Sequence, residues 1–201
     1  CCCYRSKQFK SFPNRSISHK TLDKLRILNA EQQIAVEAIV HHGVILLSGG
    51  PGTGKTSTIV KMLERVLSIK PTLKIGLAAP TGKAARRLQE TLQKGVKEMK
   101  TSQSQKLLNI PCNTLHKLLQ ARPGGFSRNK RNQLTIDLLV VDEMSMVDLS
   151  LMQALLKALP KKSQLILLGD PDQLPPIGSG AVWHQLQQEK VRKRFGQGAV
   201  H

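Results

Sequence analysis

Acidic side chains are scarce in this chain: 13 Asp and Glu stand against 31 Lys and Arg, a formal charge of +18 over 201 residues. A surplus of that size favours a polyanionic partner, and nucleic acid is the first candidate. Aromatic residues are scarcer still, with one Trp, one Tyr and four Phe. That argues against a single-strand binder working mainly by base stacking, and for contacts to the phosphate backbone. Three of the four cysteines are Cys1, Cys2 and Cys3, and the fourth, Cys112, stands alone. With no C-x-x-C pair, neither a cysteine zinc site nor a disulfide framework is expected, which suits a reducing cytosol. No apolar run approaches the length of a membrane span, and Cys1 to Lys20 lack the apolar stretch of a secretory signal. The expectation is a cytoplasmic protein without a membrane partner. An acidic cluster of the two-metal nuclease type is also lacking.

What the chain does contain is Gly49-Gly50-Pro51-Gly52-Thr53-Gly54-Lys55-Thr56, which fits the phosphate-loop pattern G-x-x-x-x-G-K-S/T. Glycines leave room for backbone N–H groups to turn inward and cradle phosphate oxygens. Lys55 can reach β- and γ-phosphates, and Thr56 offers a hydroxyl to Mg²⁺. The flanks match the motif's context. Val44-Ile45-Leu46-Leu47 reads as a buried strand, and Ile59, Met62, Leu63 and Val66 recur at helical spacing. Strand, glycine loop and helix N-terminus together bind phosphate. The expected nucleotide contacts are Gly50, Gly52, Thr53, Gly54, Lys55, Thr56 and Ser57.

Along the chain, residues 1–26 are basic, Ser-rich and without period, and are expected to be a disordered arm. One folded domain is expected over 27–188. A helix with an N-cap at Asn29 carries Gln32, Ala35, Val36 and Ile39 and ends at Gly43. Ile75–Ala79 reads as a strand, and Gly82 to about Met99 as a helix with Lys83, Arg86 and Arg87 near its start. Residues 100–111 read as loop, Thr114–Gln120 as a short helix, and 122–133 as a basic insertion around the turn signal Pro123-Gly124-Gly125. Ile136–Val141 and Leu165–Leu168 read as strands on either side of a helix over Asp148–Leu159. Apolar strands alternating with helices predict an α/β fold, a mostly parallel sheet with helices on both faces.

Val140-Val141-Asp142-Glu143 closes the third of these strands, and ligands of open parallel sheets sit beyond the carboxyl ends of strands. Asp142 is placed to hold Mg²⁺, and Glu143 to orient and deprotonate an attacking water. Gly169-Asp170-Pro171-Asp172-Gln173-Leu174-Pro175-Pro176 follows the last strand, where Gln173 can sense a γ-phosphate. Ala79-Pro80-Thr81-Gly82-Lys83 supplies a hydroxyl, backbone N–H groups and an ammonium suited to sequence-independent phosphate contacts.

Taken in order, these segments resemble the motifs of superfamily 1 helicases. Leu28 to Val36, with Gln32, is similar to their adenine-reading Q motif, and the glycine loop to motif I. Ala79–Leu88 resembles motif Ia, Thr114-Leu115-His116-Lys117-Leu118-Leu119 motif Ib, Val141–Asp148 motif II, and Gly169–Pro176 motif III. The combination is most similar to the RecD type, the alpha subunit of exodeoxyribonuclease V, over roughly residues 28–182. The resemblance implies a RecA-like P-loop NTPase fold and a 5′→3′ DNA helicase driven by hydrolysis of ATP with Mg²⁺. It implies double-strand-break repair and recombination in a heterotrimer with beta and gamma subunits. It implies catalytic roles for Lys55, Glu143 and Gln173, metal contacts from Thr56 and Asp142, and a nucleotide contact from Gln32. It also implies a path for single-stranded or duplex-end DNA along Pro80, Thr81, Gly82, Lys83, Thr114 and His116. His116 equally fits a helix-packing histidine.

In the family ATP lies between two RecA-like domains, and the second supplies arginine fingers worth about 10³–10⁵ in rate. Here Phe195-Gly196-Gln197 has Gly196 where the next motif carries arginine, so 189–201 is read as a divergent tail before a missing second domain. The expectation is a first motor domain that binds ATP·Mg²⁺ and DNA and barely hydrolyses alone. The rival readings are a nucleotide-responsive DNA-binding module without turnover, a conjugative relaxase-type helicase motor, and a P-loop kinase. The Gln-Leu-Pro-Pro segment argues against the kinase.

Overall fold

Five parallel strands form the central sheet of the computed structural model, which describes residues 30–50, 52–99, 103–173 and 182–188. The arm at 1–26, the N-cap at Asn29, Pro51, Leu174–Pro176 and the tail at 189–201 lie outside the described residues.

In chain order, helix α1 (Ala30–His41) leads into strand β1 (Val44–Ser48), α2 (Lys55–Ile69), β2 (Ile75–Ala79) and α3 (Gly82–Met99). Then come α4 (Ser104–Leu108), β3 (Cys112–Thr114), α5 (Leu115–Leu118) and a small ribbon of β4 (Ala121–Arg122) with β5 (Gly125–Phe126). Strand β6 (Leu138–Val141), a 3-10 turn (Met144–Met146), α6 (Leu149–Ala158), β7 (Gln164–Gly169) and α7 (Val182–Gln187) complete the order. The sheet runs β1-β7-β6-β2-β3, and every neighbouring pair is parallel.

Strand residues point alternately to the two faces, and both faces are apolar. Ile45, Leu47, Leu77, Leu138, Val140, Ile166 and Leu168 pack with α1 to α4. Leu46, Ala78, Leu139, Val141, Leu165 and Leu167 pack with α5, α6, the 3-10 turn and α7. That is why these strands read as unbroken apolar runs rather than as alternating ones. Each leucine so buried contributes about 1.5–3 kcal/mol.

The α/β expectation holds, with four local differences. The stretch read as loop over 100–111 contains α4, whose Leu107 is buried against the sheet. Cys112–Thr114 is a fifth strand, paired with Leu77–Ala79; three residues are too few to show a period. Within the basic insertion, Arg122 pairs with Gly125 around Pro123-Gly124, and Gly124 has φ 82, as a type II turn requires. Strand β6 starts at Leu138 rather than Ile136. Asp137 is drawn off to the Lys74 peptide, whose N–H it accepts at 2.9 Å through Oδ2.

Candidate nucleotide and nucleic-acid site

Because all five strands are parallel, their carboxyl ends share one rim. Ser48 at the end of β1 stands opposite Gly169 at the end of β7, and Val141 stands opposite Ala78 and Leu167. Hydrogen bonds extend the sheet by one residue past these ends. The Gly49 N–H donates to the Gly169 carbonyl at 3.3 Å, and the Asp142 N–H to the Ala78 carbonyl at 2.9 Å. The glycine loop, Asp142 and Asp170 therefore leave the sheet side by side.

The loop's shape follows from its glycines. Gly52 and Gly54 have φ 79 and 83, the left-handed region that costs other residues energy. Gly54 is also crowded: a Cβ there would lie 2.6 Å from Gln32 Nε2. The same Nε2 donates to the Thr53 carbonyl at 3.3 Å, which fixes α1 against the loop. Thr53 donates its hydroxyl to the Gly50 carbonyl at 2.9 Å. Gly54 caps α2 without a side-chain bond, and the first turn of α2 carries no acidic residue. The positive end of this 15-residue helix thus faces the loop uncompensated. The Lys55 ammonium folds back onto the carbonyls of Gly49 and Gly50. Thr56 is half-buried and Ser57 exposed on the first turn.

Asp142 is largely withdrawn from water, and that burial raises its pKa; the Glu143 carboxylate raises it further. The Glu143 N–H, donated to Asp142 Oδ1 at 2.8 Å, works in the opposite direction, as do the charges of Lys55 and Arg87. Lys55 and Asp142 are thus close enough for the ammonium to act on the carboxylate. Among the described residues Asp142 forms no ion pair. A desolvated carboxylate without a paired cation, on the same sheet rim as the glycine loop, fits Mg²⁺. That ion is held by one or two protein oxygens and keeps water and phosphate as its other ligands.

Glu143 has φ 53 and ψ 47, a left-handed conformation that a non-glycine residue holds only at a cost. It turns the chain sharply out of β6 into the 3-10 turn. On that turn the Ser145 hydroxyl donates to Gln173 Oε1 at 2.6 Å. Gln173 is therefore tied to the Asp142–Glu143 segment with its amide nitrogen left to donate. Asp170 is buried and accepts the Asp172 N–H at 3.0 Å, which shapes the turn leading to Gln173.

The expected DNA contacts occupy the other half of the rim. Pro80, Thr81, Gly82 and Lys83 follow β2, and Thr114 ends β3 opposite Ala79. Thr81 and Thr114 both accept backbone N–H groups through Oγ1, from Ala84 at 3.2 Å and Lys117 at 3.1 Å. Each is an N-cap whose hydroxyl hydrogen stays available to a phosphate. Gly82 and Lys83 are exposed. His116 is exposed too, its ring 6.1 Å from that of Phe126, so it rests on the ribbon and not in the core.

Sequence reasoning named Arg87 only as part of a basic helix start; its action on Asp142 from the second turn of α3 needs the fold. Two further participants were missed. Ser145 is an ordinary serine in sequence, marked only by its bond to Gln173. Trp183 lies where the pattern fades, yet it is buried on Gly169.

Residues 32–179 match the family described as an AAA domain. The chain belongs to that family. Within this AAA-domain family, it is 43% identical over 184 residues to the RecBCD enzyme subunit RecD of Mycolicibacterium smegmatis, covering 83% of this chain and 33% of the relative. It is 42% identical to the RecD subunit of Haemophilus influenzae (78% and 26% covered). It is 39% identical to the ATP-dependent RecD2 DNA helicase of Deinococcus radiodurans (76% and 19% covered). The AAA-domain chain thus spans a third or less of these relatives' length. Among solved structures, one of two coordinating Pif1 helicases at forked double-stranded DNA superposes with a TM-score of 0.50 at 23% identity, over 83% of this chain and 37% of that one. A structure of yeast Dbp5 with Nup159 and Gle1 gives 0.50 at 17%, over 92% and 51%. These two likenesses show the fold alone. The resemblance to RecD-type helicases is borne out by the relatives. Among the described residues no helix is long and apolar enough to cross a membrane.

Proposed function

We propose that this chain is the ATP-binding first motor domain of a RecD-type 5′→3′ DNA helicase, acting in the cytoplasm in recombination and double-strand-break repair. One observation carries the reading. Lys55, Asp142 and Gln173 converge at the carboxyl rim of one parallel sheet, beside a glycine loop that opens a helix. The relatives' names supply the helicase activity, and the RecD subunit's membership of RecBCD suggests beta and gamma subunits as partners.

In this reading the first-turn N–H groups of α2 and the loop amides of Gly52, Thr53 and Gly54 receive the triphosphate. Gln32, held against Thr53, reads the adenine side. Lys55 exchanges its loop carbonyls for phosphate oxygens. Thr56 and Asp142 would hold Mg²⁺, which would supply charge neutralisation to the phosphates. Glu143 takes the proton of the attacking water, and Gln173 meets the γ-phosphate with its amide nitrogen. Pro80, Thr81, Gly82, Lys83, Thr114 and His116 line the adjacent strand ends, where a DNA backbone passes. The site contacts are then coupled to the DNA contacts through β2 and β6, which pair directly.

Steady-state ATP hydrolysis with and without single-stranded DNA tests this reading. Weak turnover that is abolished in Glu143→Gln with nucleotide binding retained supports the hydrolase, whereas vigorous DNA-stimulated turnover contradicts a motor domain that barely hydrolyses alone. Nucleotide-dependent DNA binding with no turnover in either protein favours the binding module instead.

A further inference from the structure

Helix α7 touches the two strand ends on which the glycine loop depends. Trp183 is 2% exposed, and its indole lies on Gly169, the last residue of β7. A Cβ at Gly169 would sit 2.4 Å from the Trp183 ring. One turn further on, Gln187 Nε2 donates to Ser48 Oγ at 2.7 Å. Ser48 ends β1 and stands in register with Gly169. The next residue, Gly49, donates its N–H to the Gly169 carbonyl, and its own carbonyl receives the Lys55 ammonium. Lys55, Gly49, Gly169 and Trp183 thus form one chain of contacts, and Gln187 closes it back onto Ser48. Gly169 also leads directly into Asp170 and on to Gln173.

An ammonium has three donors and no fixed geometry. When Lys55 turns to a triphosphate it gives up carbonyl contacts at Gly49 and Gly50. The Gly49–Gly50 peptide then loses its partner on the loop side, while the Gly49 N–H keeps its bond to the Gly169 carbonyl under Trp183. We propose that Trp183 and Gln187 are positioning residues of the nucleotide site. Helix α7 clasps the ends of β1 and β7, so that the Gly49 peptide and the Asp170–Gln173 segment hold the geometry that accepts the triphosphate. The proposal rests on reading the glycine loop as the ATP site.

The chain's sole tryptophan is the natural reporter. Its Nε1 is buried with no hydrogen-bond partner among the described residues, so its emission responds to small movements of Gly169. The test titrates a fluorescent N-methylanthraniloyl ATP, with Mg²⁺, into the full chain. The proteins are wild type, Gln187→Ala, Ser48→Ala, the double variant and Ser48→Thr, and each is also melted without nucleotide. One hydrogen bond lost from a positioned site should weaken binding about 3- to 10-fold in each alanine variant. The double variant should be no weaker than either single one. Ser48→Thr should retain wild-type affinity, and melting temperatures should agree within about 2 °C. Tryptophan emission should change when ATP·Mg²⁺ is added to wild type. Unchanged affinity in the alanine variants, or affinity that falls only in step with melting temperature, overturns the proposal. So does constant emission in a wild type that binds the fluorescent nucleotide. A wild type that binds no nucleotide overturns the ATP reading and this proposal together.

Discussion

Ser145 donates its hydroxyl to Gln173 Oε1 across 2.6 Å, and this bond joins the segment after β6 to the segment after β7. With Oε1 occupied by the Ser145 hydroxyl, Nε2 is the end of the Gln173 amide left to donate, and in the proposed reading it is the group that meets a γ-phosphate. Removing the hydroxyl frees the amide to rotate. For Ser145→Ala the expected outcome is a fall in ATP turnover of about 3- to 10-fold with little change in nucleotide affinity. That is the size of one neutral hydrogen bond, about 0.5–1.5 kcal/mol. Parallel measurement of kcat and KM in the presence of DNA checks it.

Asp142 carries an electrostatic cost in the folded chain. Burial raises its pKa, so the folded state binds the proton more tightly than the unfolded chain does. The resulting penalty is absent below the ordinary carboxylate range and grows as pH rises through the raised folded-state value. Asp142→Asn removes the charge and keeps the shape. The variant should melt higher than wild type at pH 7 without metal, and the difference should vanish as pH falls through the carboxylate range. The same variant should lose the Mg²⁺-dependent part of ATP binding. Melting curves across pH, with and without ATP·Mg²⁺, separate the two effects.

Gly54 answers to two constraints at once, a φ of 83 and the nearby Gln32 amide. Gly54→Ala meets both. The left-handed backbone costs about 1–2 kcal/mol, and the methyl displaces Gln32 from the Thr53 carbonyl. Nucleotide affinity should fall at least 10-fold. Gly52→Ala, with a similar φ but open space around its Cβ position, should lose less. Comparing the two variants by nucleotide titration distinguishes crowding from backbone strain.

Cys112 opens β3, and its Sγ donates across to the Ala85 carbonyl of α3 at 3.1 Å. Burial, with the Asp142 charge behind it, pushes its pKa up to about 11. A thiol this far from ionisation at neutral pH reacts slowly. Iodoacetamide treatment at pH 8 followed by peptide mapping should leave Cys112 unmodified in the folded chain and label it after denaturation.

The nucleotide half of the site was legible in sequence because its chemistry is local. Gly49 to Thr56 is contiguous, and a strand before it and a helix after it fix what the loop can do. Asp142 was legible for a related reason: an acid at the end of an apolar run must lie at a strand's end. The sheet's third dimension was not. Strand β3 is too short to show a period, and only its register with β2 puts Thr114 beside Ala79. Arg87 and Ser145 gain their roles from neighbours that are distant in sequence. Trp183 reads as a lone aromatic in a fading pattern, and its burial on Gly169 depends on β7 ending in a residue without a Cβ.

The central claim is that one triphosphate site forms where Lys55 and Asp142 meet at the sheet's carboxyl rim. Calorimetric titration of ATP into the chain, with and without millimolar Mg²⁺, tests it most directly when Lys55→Ala is run beside wild type. Saturable, Mg²⁺-strengthened binding to wild type that is lost in Lys55→Ala is the predicted result. Equal binding by the two proteins, or none by wild type at millimolar Mg²⁺, would contradict the account.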